Sequence, residues 1–91
     1  MTLEVICKKG LSRELIPVKH VKYNEAVEKA VIYFEKDAII DALDVTQDGG
    51  TGYYYIEAKN VKRWDLPDKP TFLQGTVKDD IGKDALFNLH F

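Results

Sequence analysis

The residues of this sequence that could do chemistry are few and scattered. Cys7 is the sole thiol, and the two histidines, His20 and His90, lie far apart in the chain. A zinc site needs a cluster of Cys, His or carboxylate ligands at close spacing, and no such cluster is formed. His20 reads as a strand-surface residue, and His90 as the end of a helix, where its charge suits the helix dipole. Nucleophilic catalysis needs a thiol or hydroxyl beside a placed base. Lys8 and Lys9 could lower the pKa of Cys7. The apolar Val5 and Ile6 before it fit a buried structural thiol better. Ser12 stands in no motif. The carboxylate pairs Asp41/Asp44 and Asp79/Asp80 have no histidine near them and fit a solvated face. The segment Asp48-Gly49-Gly50-Thr51-Gly52 has the glycines of a phosphate cradle. A phosphate-binding loop continues with lysine and then serine or threonine at the start of a helix. Here Tyr53-Tyr54-Tyr55 follows instead, so the glycines read as a hairpin tip. The expectation is a chain without a catalytic centre, a metal or a cofactor.

What remains is recognition of another molecule. Tyrosine, tryptophan and arginine are frequent anchors of protein interfaces. The expected contact residues are Tyr53 and Tyr55 for area, with Asp41, Asp44, Asp48 and Glu57 for charge complementarity to a basic protein partner. The alternative for each tyrosine is that it only covers the core. A nucleic-acid reading would use the same tyrosines for stacking and Lys59, Lys62 and Arg63 for phosphate. The acids on the same hairpin oppose it.

Composition sets the frame. The chain has 91 residues and a net charge of −2, so it allows one small domain and offers no positive field to a nucleic-acid backbone. A domain of this size buries only about 60–65% of its unfolded surface. A single cysteine permits no internal disulfide and fits a reducing cytosol. No apolar run is long enough for a membrane span, and the N-terminus does not read as a signal peptide.

The elements that must position these residues read as follows. Strands are expected over residues 3–8 and 18–23, with Pro17 at an edge, a strand start or a bulge. Residues 26–35 fit two periods. As a helix, Val27, Ala30, Val31, Phe34 and Ala38 share a face with Asn24 as N-cap. As a strand, Val27, Val31 and Tyr33 share one face and Ala30, Ile32 and Phe34 the other, and the run of β-branched and aromatic residues favours the strand. A hairpin then pairs residues 38–45 with 53–59 across the glycine-rich tip. Tyr54, Ile56 and Ala58 face the core, and Asn60 is a candidate bulge. Trp64 closes the sheet, because Pro67 and Pro70 interrupt regular structure. Val77, Ile81, Ala85 and Leu89 form an i, i+4 series, so a helix is expected over 77–89, capped by Thr76 and packed with Phe87 on the sheet. Gly82 weakens it. The fold class expected is α+β: a mostly antiparallel meander of four or five strands with a C-terminal helix on one face.

From Val18 onward this layout resembles the small immunity proteins of bacterial polymorphic toxin systems. The likeness lies in the meander, the strand Tyr53-Tyr54-Tyr55-Ile56, the Lys62-Arg63-Trp64 triplet, the following Pro67 and Pro70, and the terminal helix. The resemblance implies a cytosolic inhibitor that binds a cognate toxin and occludes its active site. It carries over no contact residue. A nuclease toxin would present a basic cleft to an acidic inhibitor. A phage-encoded inhibitor of a host defence protein would have the same appearance.

Overall fold

Alternation with period 2 dominates this chain, and it builds strands. The computed structural model describes residues 1–6, 13–35, 40–41 and 43–91. Seven strands appear among them: β1 (Thr2–Ile6), β2 (Arg13–Asn24), β3 (Lys29–Phe34), β4 (Thr46–Gln47), β5 (Tyr54–Leu66), β6 (Lys69–Lys78) and β7 (Asp84–His90). All pairings are antiparallel. The order is β3-β2-β1-β7-β6-β5, and β3 pairs β5, so six strands close into a barrel. Closure joins β3 to β5, while β6 flanks β5 only from Lys59 onward. The two-residue β4 lies outside the ring, on the same edge of β5 as β6 but ahead of Lys59, where β6 begins.

Side chains alternate in and out along each strand. Leu3 and Val5 point in, as do Ala85, Phe87 and Leu89, and Leu73 and Val77. Ile32, Phe34, Ile56 and Val61 complete the centre. The described core is wholly apolar, with no buried polar or charged side chain. A barrel of six strands is narrow, so these side chains fill it.

Two backbone irregularities shape the barrel. Glu28 (φ 53) and Asn60 (φ 54) are left-handed, and Val61 N–H donates to Glu28 C=O at 2.8 Å. Asn60 lies at a register shift between Lys59 and Lys62, the bulge its type and position suggested. A left-handed conformation costs a residue with a Cβ roughly 1–2 kcal/mol. Glu28 is exposed and its described hydrogen bonds are backbone ones. Glu28→Gly is therefore expected to stabilise the fold by about 1 kcal/mol, read as a higher denaturant midpoint at unchanged slope.

The α+β expectation is overturned by the C-terminal quarter. Residues 77–89 form the end of β6, a turn and β7 in place of a helix. An i, i+4 series is a subset of an i, i+2 series, so it cannot separate the two periods. The positions i+3 could have done so: Asp80, Asp84 and Asn88 are polar, where a helix face would be apolar. Gly82 (φ 79) makes the turn, and Asp79 Oδ1 accepts from the N–H of Ile81 (3.0 Å) and Lys83 (2.8 Å). Thr76 caps nothing, and His90 stands on β7.

Other boundaries move too. Strand one covers 2–6, and its expected end at 7–8 lies outside the described residues, as do Cys7 and Ser12. Residues 29–34 are the strand that residue type favoured. Ahead of them Glu25–Val27 is a 3₁₀ turn whose N-cap Asn24 accepts from Ala26 N–H at 3.2 Å. The first arm of the central hairpin is only Thr46–Gln47. Residues 40 and 41 carry no strand, Leu43 makes a single bridge to Asp79, and 36–39 and 42 lie outside the described residues. The sheet also runs through Trp64 to Leu66, because Pro67-Asp68 is a two-residue turn, a position that suits proline. Pro17 lies one residue before the β2–β3 pairing begins, near the register shift between Val18 and His20.

Candidate protein-recognition surface

Barrel closure brings together side chains that the chain order keeps apart. In register, His20 on β2 faces Tyr33 on β3, Tyr33 faces Tyr55 on β5, and Tyr55 faces Thr46 on β4. All four point to the outer face. The His20 and Tyr33 rings lie 5.8 Å apart, and the Tyr33 and Tyr55 rings 5.7 Å, both tilted. Lys22 Nζ sits 5.5 Å from the Tyr33 ring centre. Lys19 Nζ lies 4.1 Å from the Tyr53 ring centre and donates to its hydroxyl at 2.7 Å. That hydrogen bond raises the Lys19 pKa above its ordinary value. Tyr33 and Tyr55 are half-buried, so each ring keeps an open flank on a stiff sheet.

The expected contact residues are partly assembled. Asp44, Tyr55 and Glu57 line one groove of about 450 Å³, together with Lys29, Lys59 and Lys78. Tyr53 and Asp48 face each other at the hairpin mouth, where Asp48 N–H donates to Tyr53 C=O at 2.8 Å. The Asp48 carboxylate also accepts from Gly50 N–H at 2.8 Å, so it holds the turn. Asp41 is exposed but is not among the groove residues. The surface is therefore mixed in charge, not acid-fringed. Residue reading missed His20, Tyr33, Lys29 and Lys78. The outward alternation of Val31 and Tyr33 was visible in the sequence; their neighbours across the sheet were not.

The cations expected for nucleic acid are dispersed. Lys59 and Lys78 share Asp84, at 3.4 and 2.7 Å, and Arg63 pairs with Asp65 at 3.2 Å. Lys62 faces Gln74 on β6. The Lys78 hydrogen bond, then the Lys59 charge, hold the Asp84 pKa below the usual carboxylate value. A carboxylate whose pKa is lowered by folding stabilises the fold above its unfolded pKa of about 3.9, and the effect is lost as pH falls through the folded value. Asp84→Asn is thus expected to flatten the fall in Tm below about pH 4 and leave its slope near pH 7 unchanged, read by thermal melts across pH.

The groove collects charges of both signs. Its threonines, Thr46 and Thr76, have no hydrogen bond to a base among the described residues, and no three potential metal ligands cluster there. No helix among the described residues is long and apolar enough to cross a membrane. The class defined is a six-stranded up-and-down barrel with an aromatic, mixed-charge outer face. Nothing matches this chain among protein-family models, curated proteins or solved structures.

Proposed function

We propose that this protein is a non-enzymatic recognition module of the cytosol that inhibits a protein partner by covering its working surface, as an immunity protein covers a toxin. The observation that carries this reading is the ring row His20–Tyr33–Tyr55 on the outside of a closed barrel. Rings fixed on a sheet lose little entropy on docking, and half-buried tyrosines supply both apolar area and a polar tip. Asp44 and Glu57 beside Lys29 would set orientation and steer association through a pattern of charge. The terminal helix on which the immunity resemblance partly relied is a strand, so the support comes from this surface.

The test is capture from a lysate of the source cells, with wild type against Tyr33→Ala/Tyr55→Ala, both checked for unaltered melting. A captured protein is expected to bind the double variant at least tenfold more weakly, since anchoring rings each contribute about 2 kcal/mol or more. Reversal of Asp41, Asp44, Asp48 and Glu57 to lysine is expected to slow association and reduce its salt dependence. Equal capture by wild type and the tyrosine variant refutes the surface.

A second reading rests on Lys19 and Lys22, which lie against the Tyr53 and Tyr33 rings. Cations interleaved with rings suit single-stranded nucleic acid. A gel shift with single-stranded DNA at low and moderate salt separates the two: a salt-sensitive shift lost in Lys19→Glu/Lys22→Glu selects nucleic acid.

A further inference from the structure

Strand β4 covers an edge of the barrel that it does not complete. β5 is paired with β3 along one edge through Tyr55–Ala58. On the other edge β4 meets only Tyr54 and Tyr55, and β6 begins at Lys59. Among the described residues no strand pairs with Glu57 or Ala58 on that side. The hydrogen bond from Asp48 N–H to Tyr53 C=O sets the alternation. It follows that Tyr55 and Glu57 also aim their backbone groups at this edge. The segment before β4 turns away before it could reach Glu57: Asp44 N–H donates instead to Lys78 C=O at 3.2 Å, and Leu43 bridges Asp79. The groove described above is the resulting gap.

Barrel closure does not depend on β4, because β3 and β5 pair directly. Removing β4 would expose a row of backbone donors and acceptors that form a template for another extended chain. The segment in place shows which side chains fit. Leu43 is 4% exposed and Val45 packs on the core, while Asp44 between them faces the groove with Lys29, Lys59 and Lys78.

We propose that β4 is a displaceable strand, and that the partner inserts an extended segment of the pattern apolar–acidic–apolar–hydroxyl, antiparallel to β5, in its place. This rests on the partner-binding reading of the same surface. Its apolar residues take the sites of Leu43 and Val45, its acid meets the three lysines, and its backbone pairs with Tyr55 and, as Asp44 does, with Lys78. The outer end of the strand then lies beside the His20–Tyr33–Tyr55 ring row.

The test uses a labelled peptide with the sequence of residues 40–48 and needs no natural partner. It is titrated by fluorescence anisotropy against three proteins. Thr46→Pro removes the N–H that faces Tyr55 and so uncouples β4. Gln47→Cys/Tyr54→Cys, in a Cys7→Ser background, joins a directly opposed pair and clamps β4 when oxidised; the reduced form is its control. Saturable binding is expected for Thr46→Pro, weaker binding for the reduced pair, and at least tenfold weaker binding still for the oxidised pair. A peptide with Asp at the Leu43 and Val45 positions is expected not to bind. Equal titrations of the oxidised and reduced proteins, or no binding to a folded Thr46→Pro protein, overturn the proposal. If Thr46→Pro does not fold, native-state hydrogen exchange of the wild type decides. The Tyr55 amide is expected to exchange at least a hundredfold faster than the Ile56 amide, and equal protection overturns the proposal. Failure here with intact capture by the tyrosine row would leave partner binding standing and remove only the strand insertion.

Discussion

Phe87→Ala is expected to destabilise the fold by about 3–5 kcal/mol, while Ile81→Ala changes it by less than about 0.5 kcal/mol. Phe87 is fully buried, and its ring lies against Gly75 on β6, the strand that pairs with β7. Truncation removes the ring's burial and leaves a cavity that a narrow, closed barrel cannot collapse into without breaking pairings. Small domains have about 5–15 kcal/mol of stability in total, and this one belongs at the low end by size. Much of the variant should therefore unfold at moderate temperature. Ile81 is 51% exposed in the β6–β7 turn, so its loss removes little contact. The pair of variants is decisive because a helix over 77–89 would bury Ile81 with Val77, Ala85 and Leu89. Urea midpoints of the two proteins measure it. Comparable losses at both positions would contradict the strand–turn–strand arrangement.

Gly75→Val is expected to cost about 3 kcal/mol, the upper part of the usual range for overpacking. A Cβ at Gly75 would lie 3.0 Å from each of three atoms: Lys59 O, Phe87 Cε1 and Val61 Cγ2. The first is backbone at the bulge, and the other two belong to fully buried side chains, so none can move aside freely. The glycine is required because the bulge at Asn60 brings β5 close over β6 while the Phe87 ring packs from β7. Gly49 is the control. A Cβ there meets nothing within 4 Å, and Gly49→Ala should shift stability by no more than about 0.5 kcal/mol. Thermal melts of both variants read the contrast. A melt of Gly75→Val indistinguishable from wild type would mean that the strands are not packed this tightly at the bulge.

Much of the central strand was legible from residue types. Tyr54, Ile56 and Ala58 alternate with Tyr53, Tyr55 and Glu57, and the chain places the first set inward and the second outward. Asn60 marked its own bulge, because asparagine tolerates positive φ better than most residues. The C-terminal quarter was not legible by the series chosen, since spacing by four satisfies both periods. Its polar i+3 positions and Gly82 held the missing information. The α+β class failed with it.

The candidate surface divides in the same way. That Tyr55 and Glu57 share an outer face follows from period 2 alone. That His20 and Tyr33 stand beside Tyr55 does not, because it depends on the registers of β2 with β3 and β3 with β5. Local sequence determined strand character, the turns at Gly82 and Pro67-Asp68, and the inward set on β5, since those depend on each residue's own backbone preference and on alternation. Only the tertiary structure decided that β1 meets β7 and β3 meets β5, and hence which outer side chains become neighbours. Pairing between distant strands depends on the combined fit of two faces and on ring closure, and neither is a property of any single stretch.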